Sequence, residues 1–90
     1  MKIAIVVTGI HEALNTWTMA TASVGGREYC VQMVRFEEPS RFGIRNGRIS
    51  KLWACGPNGI AVIDYDRTWS TRPGTAAGKA LLAAILRRFN

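Results

Sequence analysis

Histidine is nearly missing from this chain: His11 is the single one in 90 residues. A histidine metal site or a Ser-His-Asp relay would have to rest on that residue alone, and nothing around it resembles a nucleophile elbow or an oxyanion loop. His11 sits in a connection and reads as solvated. Cysteine is scarce too. Cys30 and Cys55 are the two present, and no Cys-x-x-Cys or Cys/His spacing supports a zinc framework. They read as small buried hydrophobes. No apolar run approaches the ~20 residues of a membrane span. The stretch from Ile3 to Val7 is too short for the core of an export signal. These absences point to a cytoplasmic protein with reduced thiols and no membrane contact.

Acids are outnumbered, six against twelve Lys plus Arg. Glu37 and Glu38 are sequence neighbours beside Pro39 and read as the solvated end of a strand, not as an acid/base pair. No Gly-x-Gly-x-x-Gly follows the first apolar stretch and no βαβ unit fits, which excludes a dinucleotide fold. Gly25 and Gly26 precede no helix, so they are a turn and not a phosphate loop. The expectation is a protein that is not an enzyme and holds no metal and no cofactor.

What the chain does have is positive charge. The net value is +6, and nine of the twelve cations are arginine. Arginine pairs bidentately with phosphate or carboxylate and stacks on aromatic faces. Such a field favours a macromolecular partner with an acidic surface, or nucleic acid. The plainer reading is that excess charge keeps a small protein soluble.

Ninety residues form one domain, residues 1–90, with a thin core: a chain this short buries little more than ~60% of its unfolded surface. Residues 2–8 (KIAIVVT) read as a strand. Residues 14–24 (LNTWTMATASV) alternate loosely, with Trp17 and Met19 on one face and Thr16, Thr18 and Ala20 on the other, and read as a half-exposed strand. Residues 27–36 (REYCVQMVRF) carry apolar residues on both faces, which predicts a central strand covered on both sides. Pro39 stops it. Residues 49–55 (ISKLWAC) and 60–65 (IAVIDY) flank a Gly56-Pro57-Asn58-Gly59 turn. Residues 66–74 read as a loop. Thr75 then caps a helix over 76–89 with Ala77, Leu81, Ala84, Ile85 and Phe89 as its core stripe. The fold class is therefore α+β: an antiparallel sheet of about five strands with one C-terminal helix packed on one face.

Two segments carry the candidate binding residues. The first runs from Glu38 to Leu52 and holds Arg41, Arg45, Arg48 and Lys51 near Phe42 and Trp53, a basic surface with aromatic neighbours suited to phosphate contact and base stacking. Alternatively, Phe42 and Ile44 plug the end of the core, Gly43 and Gly47 permit the backbone path, and the arginines are solvated. The second segment, Tyr65-Asp66-Arg67-Thr68-Trp69, is a binding patch containing Arg67, or a structured corner whose Trp69 caps the core. Trp17, Trp53 and Trp69 read more naturally as core or sheet-face rings than as ligand platforms.

Glu38-Pro39-Ser40-x-Phe42-Gly43-Ile44-x-x-Gly47-Arg48-Ile49-Ser50-Lys51-Leu52, followed by Tyr65-Asp66-Arg67-x-Trp69 and a helix ending Ile85-Leu86-x-x-Phe89, resembles a family of small uncharacterised phage and bacterial proteins. The resemblance spans about Trp17 to Asn90. This chain departs from it at Thr68, where glycine is usual, and in its alanine-rich helix. It implies a gene of mobile elements and transfers no activity and no functional residue.

The expected function is a small phage- or prophage-type binding protein acting on a macromolecule, in one version an inhibitor of a host-defence protein such as a CRISPR effector. Two other classes stand beside it: a direct nucleic-acid-binding protein, and a structural homo-oligomer or virion component.

Overall fold

The computed structural model describes residues 2–9 and 14–90. Six strands follow one another in chain order across a single antiparallel sheet: β1 (Ile3–Val7), β2 (Trp17–Val24), β3 (Arg27–Arg35), β4 (Ile49–Cys55), β5 (Ala61–Asp66) and β6 (Trp69–Thr71). The helix α1 (Ala76–Phe89) closes the chain. The expected α+β class holds, with six strands instead of about five.

The added strand is β6, which lies inside the stretch expected to be a loop. It is three residues long, too short to show a period-2 pattern. It pairs Trp69 with Tyr65 and Thr71 with Asp64. The turn into it places Arg67 in the left-handed region at φ 61°, where its N–H donates to Ser50 C=O across to β4.

The first strand, read over residues 2–8, forms at Ile3–Val7, and residues 10–13, including His11, lie outside the described residues. Tight turns join the strands where the glycines predict them: Gly25 and Gly26 both take positive φ, as does Gly59.

One face of the sheet is covered by α1. Across it run Val7, Ala20, Val31, Ala54 and Ile63 in one row and Thr18, Met33, Leu52 and Tyr65 in the next. Leu81, Leu82, Ile85 and Phe89 of the helix bury against this face. β2 contributes the small Ala20, Ala22 and Val24 to this face, beneath the larger side chains of the helix. Thr75 caps the helix by accepting from Gly78 N–H at 3.0 Å. Arg88 reaches back to donate to Ile5 C=O at 2.8 Å, covering part of the outer edge of β1.

The other face bears no covering element among the described residues. This corrects the expectation for β3: Cys30 is exposed, and Gln32 and Val34 are half-buried. Trp17 and Trp53 lie on this face, one of the two places expected for such rings. Trp17 is 47% exposed and Met19 41%, while Thr18 and Ala20 point inward. Trp53 is half-buried on the same face, and Trp69, also half-buried, packs against the core as the structured-corner reading expects.

The long connection from β3 to β4 folds back on itself. Ser40 N–H donates to Gly47 C=O, Gly43 N–H to Ser40 C=O and Gly47 N–H to Ile44 C=O. Gly43 and Gly47 touch back to back: a Cβ on Gly43 would stand 1.9 Å from the Gly47 oxygen. Ile44 is 2% exposed and plugs the core. Asn90 locks the arrangement, accepting from Ile49 N–H and donating to Ile44 C=O, each at 3.0 Å.

Candidate functional site

Ile44 takes the plugging position, and the geometry of Gly43 then sends Phe42 outward. Phe42 is 44% exposed, which corrects the reading of it as a second plug. Its carbonyl accepts from the Tyr65 hydroxyl at 2.9 Å, anchoring the backbone while the ring stays exposed. Two guanidinium groups lie over that ring, Arg41 with Cζ 4.9 Å from the centroid and Arg67 at 5.9 Å. These contacts hold both cations at the surface beside an aromatic face.

Tyr65 connects this cluster to a second. Its ring meets Trp69 edge-on at 5.1 Å, and Arg72 lies over Trp69 at 5.1 Å. Beside them is an open cavity of about 280 Å³, where Arg45, Arg72 and Lys79 stand around a floor of Ile44, Trp69 and Leu82. No carboxylate lines it. Among the described residues, the ion pair formed by these segments is Lys51 with Asp66 at 4.0 Å. Both of those side chains are well exposed, so the pair contributes little.

The structure thus brings together Arg41, Phe42 and Arg67, with Arg45 in the adjoining cavity. It does not bring the other expected residues to the same place. Arg48 is half-buried and its Nε donates to Phe36 C=O at 3.1 Å, a brace across the neck of the connection. Lys51 and Trp53 point to the uncovered sheet face, where they border a shallow depression of about 440 Å³ with Trp17, Gln32, Asp64 and Asp66. Sequence reasoning missed Arg72 and Lys79, which lie beyond the two motifs and come alongside only through the β6 turn and the first turn and a half of α1.

Two residues of the cluster occupy unfavourable backbone. Arg45 has φ 52° and Arg67 φ 61°. A non-glycine residue in the left-handed region costs roughly 1 kcal/mol or more, and such positions gather at functional sites. Glycine or asparagine would sit there more easily. That arginine stands at both is informative, because neither guanidinium fills the core.

A family model described as a domain of unknown function (DUF7678) matches residues 16–90. No curated protein matches, and no solved structure matches. No helix among the described residues is long and apolar enough to cross a membrane.

Proposed function

We propose that this chain, which belongs to that family of unknown function, is a non-enzymatic binding protein that grips a polyanion, single-stranded nucleic acid first. One observation carries the reading. Five cations, Arg41, Arg45, Arg67, Arg72 and Lys79, surround an exposed Phe42 and a half-exposed Trp69, and no carboxylate enters the cavity. Cations would take phosphates and release counterions, and the ring faces would stack bases without regard to sequence. A binding surface for an acidic protein would need the charges but not the paired rings.

The narrower version, a phage- or prophage-type inhibitor of a host-defence protein, uses the same surface to occupy a nucleic-acid path on its partner. An origin in mobile elements is part of that version.

The left-handed arginines supply the test. In Arg45→Gly/Arg67→Gly, the fold keeps its stability or gains up to about 1 kcal/mol, because glycine relieves the backbone. Affinity for a labelled single-stranded oligonucleotide, read by fluorescence anisotropy, falls. The slope of log affinity against log salt drops by about one for each phosphate that is no longer neutralised. Unchanged affinity with unchanged slope refutes the reading, as does an absence of any oligonucleotide binding at low salt.

A further inference from the structure

Strand register places two residues side by side that are far apart in the sequence. Cys30 of β3 is the direct cross-strand partner of Cys55 of β4. As register partners they project from the same face of the sheet, the uncovered one, in line with Val6 and Thr21. Both are free thiols, Cys30 exposed and Cys55 buried. Directly opposed residues of an antiparallel pair have Cα atoms about 4.5–5.5 Å apart, inside the window of about 4.4–6.8 Å that a disulfide accepts.

The geometry points to a thiol-exchange site in which Cys30 is the attacking thiol, Cys55 the resolving one, and the substrate a low-molecular-weight disulfide such as oxidised glutathione. The difference in exposure assigns the roles. Cys30 is open to solvent and meets the incoming reagent. Cys55 is 8% exposed, and burial, with the neighbouring Cys30 thiol second, pushes its pKa up. It is therefore a poor first nucleophile toward a bulky disulfide, yet it stands beside the sulfur it must reach in the second step.

Cys30 gives its proton to solvent and attacks one sulfur of the external disulfide. That S–S bond breaks, a mixed disulfide forms on Cys30, and one glutathione leaves as the thiolate. Cys55 then loses its proton and attacks the Cys30 sulfur, expelling the second glutathione thiolate. The released protons return to the two thiolates. The protein gives up two electrons and two protons, and the external disulfide becomes two thiols. The product staples β3 to β4 and encloses the whole 36–48 connection in a covalent ring. None of the reacting residues belongs to the cationic cluster, so this site stands or falls independently of the polyanion reading.

The test is to incubate the folded, reduced chain with glutathione buffers of rising oxidised fraction, quench with an alkylating agent, and read intact and peptide masses. The expected result is a monomer that loses two hydrogens and yields a linked Cys30/Cys55 peptide, reversed by reduced glutathione. Cys55→Ser traps one glutathione on Cys30, and Cys30→Ser takes up glutathione far more slowly. The proposal is overturned if the wild-type protein stops at a glutathione adduct, forms only intermolecular dimers, or stays unreacted until denatured. It is also overturned if Cys30→Ser reacts as fast as Cys55→Ser.

Discussion

The two faces of this sheet are made from the same strands and obey opposite rules. On β2, the side beneath the helix carries Thr18, Ala20, Ala22 and Val24, all 3% exposed or less. The reverse side carries Trp17, Met19, Thr21 and Ser23, and its two largest side chains are substantially exposed. Side-chain size runs against the usual direction, small inside and large outside. Beneath the helix the bulk comes from the opposite layer, Leu81, Leu82, Ile85 and Phe89, and β2 contributes the small side chains. Hydrophobicity alone would turn the strand over.

The sharpest way to break this comparison is to truncate one residue on each side. Leu81→Ala, in the helix at 0% exposure, is expected to lower stability by about 3 kcal/mol, from lost burial and the cavity left behind. Met19→Ala on the uncovered face is expected to cost under about 0.5 kcal/mol. Chemical denaturation of both variants measures the contrast, and equal losses would show that the uncovered face is packed against something in solution.

A finer probe lies on the covered side. Thr18 is fully buried, and its hydroxyl has no hydrogen-bond partner among the described residues. Thr18→Val keeps the shape and removes the unsatisfied group, so it is expected to raise stability by about 1 kcal/mol. Thr21→Val, half-exposed on the opposite side, should leave the denaturation midpoint unchanged.

The smallest expected effect is a dependence on pH. The Cys55 thiol has its pKa raised above 9.0, chiefly by burial. The folded state thus holds its proton more tightly than the unfolded one. The resulting stability is fully present below the unfolded value of 9.0 and is lost as pH rises toward the higher folded value. The stability difference between wild type and Cys55→Ala should shrink as the buffer passes from pH 8 to pH 10 in roughly half-unit steps, measured by urea melts.

The strands and helix were legible because alternation, turn glycines and the Thr75 cap agree locally. β6 was not, since three residues carry no period. Alternation divided β2 into two faces, but choosing the inner one required knowing that Leu81, Leu82, Ile85 and Phe89 of the helix would fill the space above its small residues. The site was partly legible. Arg41 and Phe42 of the first motif meet Arg67 of the second, a pairing that the sequence left open, whereas Arg48, Lys51 and Trp53 share the first motif and face elsewhere. Sequence distance conceals such sorting, because a strand sends successive side chains to opposite sides. The meeting of Cys30 and Cys55 depends on register, which turn residues constrain and do not reveal.

Asn90 fastens the middle of the 40–47 turn, at Ile44, and the start of β4, at Ile49, to the end of the helix. A visitor to Phe42 and its arginines therefore encounters a contour that is already set. Little motional freedom remains to be surrendered on docking, so even a small contact area can convert efficiently into affinity.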